Sequence, residues 1–247
     1  GKLYFAMGER AEAMEAAHSQ DLRGHLGKVV RLNPDGSVPA DNPLVGRGDA
    51  RPEIWTLGHR NVQSFAMDAT TGKLWTIEHG PRGGDELNLL KPGANYGWPV
   101  ISYGIDYSGA RVGAGATQQD GMEQPVYYWD PVIAPSGMIV YRGNLFPEWQ
   151  GSIFVGGLTG LKLVRLQMDG DRVVGEEWLL ADQNRRVRDV QQDAAGAIYV
   201  LAELGDASPL LKLTPRRQAQ PAPRVQSSGL SGHPARDSSG VVATTQD

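Results

Sequence analysis

Three short stretches carry the side chains best suited to chemistry. Leu57-Gly58-His59-Arg60-Asn61-Val62-Gln63 crowds four polar side chains just ahead of an apolar run. Glu78-His79-Gly80-Pro81-Arg82-Gly83-Gly84-Asp85-Glu86 joins the apolar runs 74–77 and 87–90. Its glycines let the backbone come close to a ligand. Turn carbonyls beside carboxylates suit a hard cation such as Ca²⁺. Asn184-Arg185-Arg186-Val187-Arg188-Asp189 precedes a further apolar run. Arg186 and Arg188 are two apart, so in an extended segment they face the same side. Paired guanidiniums there can clamp a ligand with several carboxylates through bidentate hydrogen bonds. Each stretch taken alone also fits a bland role: a solvated polar loop, or an Arg pair serving surface ion pairs. What favours one shared anionic ligand is position, because Arg60, Gly80 and Arg186 each fall at the end of a strand-like run.

Other chemistries lack their parts. The chain has no Cys, which removes disulfides, thiolate zinc sites and cysteine nucleophiles. There is no Gly-x-Ser-x-Gly elbow, Walker loop, His-Glu-x-x-His pair or dinucleotide Gly-x-Gly fingerprint. His18, His25 and His233 have no partner at metal spacing. His59 and His79 are better placed, and fit orienting or packing roles more readily than that of a base.

The elements that must position these residues are short strands. Gly and Pro together make up about 19% of the chain, against roughly 12% on average, which means many turns. One unit recurs, a Gly, a variable residue, Leu or Ile, then an aromatic: Gly1-Lys2-Leu3-Tyr4, Gly72-Lys73-Leu74-Trp75, Gly151-Ser152-Ile153-Phe154 and Gly196-Ala197-Ile198-Tyr199. Two copies follow a strand-like run ending in Asp68 or Asp193, and the Asp and Gly supply the turn. A further strand follows each copy, at 28–32, 86–90, 162–166 and 210–213. Only the segment near Arg10 to Ser19 looks helical. Repeated antiparallel units of short strands predict an all-β fold of β-propeller blades rather than a sandwich. Residues 1–215 form the propeller on this reading. Residues 216–247, rich in Pro, Ser, Gly, Gln and Arg, read as a disordered tail.

The formal net charge of -4 argues against nucleic acid or an acidic membrane as partner. No apolar run approaches the ~18 residues of a membrane span. The chain opens inside a strand-like run with neither Met nor signal peptide, so an N-terminal truncation is expected.

The motifs Gly58-His59-Arg60-Asn61-x-Gln63, the stretch from Glu78 to Asn88, Asn95-Tyr96-Gly97-Trp98-Pro99, Ala134-Pro135-Ser136-Gly137 and Asn184-x-Arg186-x-Arg188-Asp189 closely resemble the soluble quinoprotein glucose/sorbosone dehydrogenases. The bacterial aldose sugar dehydrogenases are the near relatives. The resemblance runs in order through about residues 1–215. It implies a six-bladed propeller, of which about four to five blades lie in this chain, holding pyrroloquinoline quinone (PQQ) and Ca²⁺. It implies cofactor contacts from Arg60, Asn61, Arg186 and Arg188, and calcium ligation by the carbonyls of Gly80 and Pro81. A second calcium site is implied at Glu86 and the Tyr96 carbonyl, with Asp106 and Glu123 as weaker candidates. Thr159 stands where some relatives carry a Lys toward the quinone. The family's general base is a His expected upstream of Gly1. The implied activity is oxidation of aldose sugars at C1 to lactones, with electrons passed to an external acceptor, by a periplasmic or secreted monomer or homodimer. The competing expectation is a non-catalytic propeller that binds a sugar or a protein through the same loops. Tyr127, Tyr128 and Trp129 offer a wall on which a sugar could stack.

Overall fold

The computed structural model describes residues 1–10, 16–216 and 241–246. These residues build four antiparallel sheets in chain order. The first joins β1 (Leu3–Met7), β2 (Lys28–Leu32) and β3 (Ile54–Leu57). The second joins β4 (Val62–Met67), β5 (Leu74–Glu78), β6 (Asp85–Leu89) and β7 (Tyr127–Trp129). The third joins β8 (Pro135–Val140), β9 (Ile153–Gly157), β10 (Lys162–Asp169) and β11 (Arg172–Leu179). The fourth joins β12 (Arg186–Gln192), β13 (Ile198–Glu203), β14 (Leu210–Pro215) and β15 (Val241–Gln246). Each sheet is a meander in which every strand pairs with the next, the construction of propeller blades.

The recurring Gly-x-aliphatic-aromatic unit has one structural meaning. In the second, third and fourth sheets it opens the second strand, β5, β9 and β13, and the matching copy at Gly1 opens β1. The first sheet therefore begins at the second-strand position and has three strands where the others have four. The Asp-Gly turns form as expected. Asp68 N–H donates to the Lys73 carbonyl at 2.9 Å, and Asp193 N–H donates to that of Ala197 at 3.0 Å.

The leading strands β4, β8 and β12 pack side by side. The second strands β5 and β9 are buried along their whole length because a sheet covers each face. Apolar side chains collect between sheets. Val29, Leu74 and Tyr96 fill the first interface; Trp75, Ile77, Leu87, Met138 and Val164 the second; Tyr141, Phe154, Leu163, Val190 and Ile198 the third.

Two expectations need correction. The predicted helical segment near Arg10 to Ser19 is, where described, a single 3-10 turn at Ala17–Gln20; residues 11–15 lie outside the described set. Within the predicted tail, Val241–Gln246 is a strand paired with β14 over its whole length. Averaging the tail's composition hid a short run, Val-Val-Ala-Thr-Thr, whose β-branched residues favour a ladder. Residues 217–240 lie outside the described set. Among the described residues no helix is long and apolar enough to cross a membrane.

Candidate functional site

The starts of β4, β8 and β12, the turn between β5 and β6, and the turn between β9 and β10 all lie at one end of the sheets. Hydrogen bonds tie them together. His79 Nε2–H, on the β5–β6 turn, donates to the Pro135 carbonyl at 2.8 Å. Ser136 Oγ–H donates to the Val187 carbonyl at 2.7 Å. Thr159 N–H donates to the Ile133 carbonyl at 3.1 Å.

The β5–β6 turn is too tight for side chains at its glycines. A Cβ on Gly80 would meet the Gly83 carbonyl oxygen at 2.2 Å; one on Gly84, at φ +74°, would meet the Gly104 nitrogen at 2.6 Å. Asp85 holds the turn closed. One oxygen accepts from Gly80 N–H at 2.8 Å, and the other accepts from Ile133 and Ala134 N–H, each at 2.8 Å. Burial raises its pKa against those amides. Asp85 is thus a staple between two blades with no oxygen to spare.

His59 is almost fully enclosed, at 1% exposure. Its Nδ1–H donates to Glu78 at 2.9 Å, Thr56 Oγ1 lies 2.8 Å from Nε2, and the ring stacks on Tyr96 at 4.7 Å. Both nitrogens are spent, so His59 orients Glu78. The other Glu78 oxygen accepts from Arg60 N–H at 2.7 Å. Burial pushes the Glu78 pKa up, but His59 and the amides of Arg60 and Asn61 outweigh it and hold it low.

Arg60 leaves this network and reaches a cleft of about 460 Å³ lined by Met7, Gly8, Glu9, Arg10, Asn61, His79 and Tyr107. Its Nη1 donates to the carbonyls of His79 at 3.1 Å and Gly80 at 2.8 Å. Its guanidinium lies over the rings of Trp98 and Tyr107, at 5.3 and 5.8 Å. Arg60 Nε is buried and has no hydrogen-bond partner.

Behind Arg60 is a second, very small cavity of about 10 Å³, bordered by Glu78, Gly80, Pro81, Glu86, Tyr96, Trp98 and Ser102 among others. That is room for one water or one ion. Asn88 Nδ2 bridges the two carboxylates, donating to Glu78 at 3.0 Å and Glu86 at 3.1 Å. Burial and the Glu78 charge push Glu86 up to about 8. The Trp98 Nε1 and Asn88 Oδ1 atoms are buried and unpartnered. Two carboxylates sharing one amide beside an ion-sized space fit a bound cation. An arginine edge open toward a larger cleft fits an anion. The donor sets therefore fit calcium and a polycarboxylate cofactor.

Arg60, Asn61, Gly80, Pro81, Glu86 and Tyr96 thus gather around these two adjoining spaces. The Gly80 carbonyl is shared with Arg60. Thr159 lies on the β9–β10 turn at the same end, its hydroxyl 3.3 Å from the Val132 carbonyl. Arg186 and Arg188 flank buried Val187 on β12, both exposed, with a register break between Val187 and Asp189. Arg188 is ion-paired with Glu203. Asp106 stands apart from Glu86, capping an exposed turn by accepting from Ser108 N–H at 2.8 Å. Glu123 pairs with Lys91 at 2.6 Å. Sequence reasoning missed Glu9, Thr56, Asn88 and Tyr107. Thr56 and Asn88 carried a signal, each as a polar residue within an apolar run.

The Glucose / Sorbosone dehydrogenase family model matches residues 1–212. The aldose sugar dehydrogenase YliI of Escherichia coli is 42% identical over 217 residues, covering 87% of this chain and 57% of that protein. A crystal structure of a glucose dehydrogenase is 45% identical with TM-score 0.80, covering 86% of this chain and 60% of that one. The PQQ-bound aldose sugar dehydrogenase of Streptomyces coelicolor is 28% identical with TM-score 0.68, covering 85% and 57%. The chain spans about half the length of the curated relatives it matches, 47% and 57% for two of them.

Proposed function

The chain belongs to the glucose/sorbosone dehydrogenase family, and from that membership and the paired anion and cation spaces we propose that it serves a PQQ- and Ca²⁺-dependent oxidation of aldose sugars at C1 to lactones. The carrying observation is Arg60, which lines a cleft with its buried Nε lacking a hydrogen-bond partner, beside a small cavity where Glu86 shares the Asn88 amide with Glu78. Arg60, Asn61, Arg186, Arg188 and Thr159 would hold the cofactor. The carbonyls of Gly80 and Pro81 would carry a calcium ion, which would supply positive charge near the cofactor. Glu86 and the Tyr96 carbonyl would hold a second calcium. When bound, PQQ polarised by Ca²⁺ supplies the acceptor for the hydride leaving C1. His59 and Glu78 keep Arg60 in place, and Trp98 shuts water away from its inner face. The hydroxyl proton of C1 would go to a general base. The electrons leave to an external acceptor, in the periplasm or outside the cell, from a monomer or homodimer.

The test is dye-linked oxidation of aldoses by the full gene product. Activity should vanish after dialysis against EDTA and return only when both PQQ and Ca²⁺ are added. Full activity of the dialysed protein overturns the reading.

A further inference from the structure

Arg60 has five N–H groups to place. The two on Nη1 point at the His79 and Gly80 carbonyls. One on Nη2 meets the Tyr107 hydroxyl oxygen at 3.4 Å. Nε–H meets no acceptor. Glu9 Oε1 is 4.0 Å from Nε, beyond hydrogen-bond reach. The N–H groups without a hydrogen bond, Nε–H and one on Nη2, therefore lie along the Nε–Nη2 edge, the side of a guanidinium that takes a carboxylate in fork geometry, with Glu9 ion-paired across it. Tyr107 stands at that edge. Because its oxygen accepts from Nη2, its own O–H proton is left to donate.

Tyr107 is held there firmly. It sits at the tip of a finger of residues 105–111 closed by an Ile105–Arg111 bridge. Two backbone bonds dock the finger on the glycine-rich turn: Arg82 N–H to Ile105 O at 3.0 Å, and Ile105 N–H to Arg82 O at 2.9 Å. Asp106 N–H to Ala110 O and Gly109 N–H to Asp106 O, both 2.8 Å, stiffen the tip. Yet the Tyr107 side is 69% exposed. A tyrosine so placed adds little to folding, and its rigid mounting beside the two unbonded Arg60 donors at the mouth of the cleft points to a ligand.

We propose that Tyr107 is a cofactor-binding residue, whose hydroxyl adds one more donor to the Arg60 edge for an anionic oxygen of the bound polycarboxylate. This rests on the PQQ reading above and adds to it a contact that neither spacing nor motif indicated. The ring also packs on the guanidinium, 5.8 Å from its carbon.

The experiment titrates PQQ, at fixed saturating Ca²⁺, into wild type, Tyr107→Phe, Tyr107→Ala and Arg60→Ala, following intrinsic tryptophan fluorescence. Tyr107→Phe keeps the ring and loses the donor. Affinity should fall about tenfold, as for one hydrogen bond to a charged group. Tyr107→Ala should lose a further two- to fivefold with the ring. The melting temperature of Tyr107→Phe should match wild type within about 1 °C, since the side chain is exposed. Equal PQQ affinity in wild type and Tyr107→Phe, with Arg60→Ala still defective, overturns the proposal and leaves the quinoprotein reading standing. A wild type that binds no PQQ removes that reading, and the proposal with it.

Discussion

The second sheet carries charge at both of its ends, and the ends differ. At the end away from the candidate site, Asp68 on the β4–β5 turn is saturated. It accepts from Arg142 Nε at 2.8 Å and Nη2 at 2.7 Å, from Thr70 N–H at 3.0 Å and from the Thr71 hydroxyl at 2.6 Å. Arg142 N–H reaches on to Gln192 of the fourth sheet at 3.0 Å. At the site end, Glu86 shares one amide with Glu78, and Arg60, Trp98 and Asn88 each keep a buried polar atom unpartnered. The far end also has a cleft, of about 270 Å³, lined by Asp68, Lys73, Arg142 and Asp171. Its charges are already paired with one another. A cleft alone does not make a site. Buried polar groups without partners inside the protein are what set the two ends apart, since leaving them so is costly unless a ligand completes them.

The largest effect should come from breaking the saturated end. Arg142→Ala leaves Asp68 buried without its charge partner, at a cost of about 3 kcal/mol. For a propeller of this size that is roughly 6–12 °C in melting temperature, measurable by calorimetry. The pair also sets an acid dependence. Arg142 beside Asp68 holds its carboxyl well below the ordinary value of 3.8. A depressed folded pKa contributes stability that is complete above about pH 4 and lost as pH falls below it. Melting temperatures between pH 5 and 3 should therefore fall more steeply in wild type than in Arg142→Ala. Parallel slopes would show that Asp68 is not held by Arg142.

The open end should respond to its ligand instead. Ca²⁺ at 100 times its Kd adds about 2.7 kcal/mol, or roughly 5–10 °C. Glu86→Gln keeps an acceptor for Asn88 and removes the charge. It should abolish the calcium shift, while its melting temperature without calcium is no lower than that of wild type. A calcium shift that survives in Glu86→Gln puts the cation elsewhere.

The Arg pair on β12 sharpens the contrast within one strand. Arg186 is exposed at the start of β12, at the site end, whereas Arg188 is ion-paired with Glu203. Arg186→Ala should weaken PQQ binding at least tenfold, as one charge-assisted contact does. Arg188→Ala should cost less, because recruiting it first breaks an existing pair. Titration of the two variants decides, and a larger loss at Arg188 reverses the assignment.

The blades were legible because their signal is local. A Gly at the turn and an aliphatic-aromatic step into a buried strand repeat wherever a second strand begins. The site's arginines, glycines and Glu86 were legible as motifs. The pairing of Glu78 with Glu86 through Asn88 was not, because three residues on two strands meet only once the register sets Glu78 opposite Glu86. Tyr107 was hidden for a similar reason: a turn within a long connection between β6 and β7 carries no period, and only the docking of the finger on Arg82 gives the residue a place. Val241–Gln246 was lost to averaging, a strand inside a composition that reads as tail.

The smallest effect tests whether burial, rather than ion pairing as such, makes the far end strong. Lys73 and Asp171 join the same two sheets as Asp68 and Arg142, at 2.6 Å, but their side chains are 42% and 44% exposed. Water screens such a pair, and holding a long lysine in one geometry costs side-chain entropy. Exposed pairs contribute about 0.2–1 kcal/mol. Lys73→Ala should therefore move the melting temperature by no more than about 2–4 °C, a fraction of the Arg142→Ala effect, and the difference should shrink further in 1 M salt, where the Debye length is about 3 Å. A double-mutant cycle with Asp171→Ala isolates the pair from the packing of the lysine stem. If its coupling energy matched that of Asp68 with Arg142, the inter-sheet contact would owe its strength to charge at any exposure, and saturation would no longer distinguish the structural end from the site.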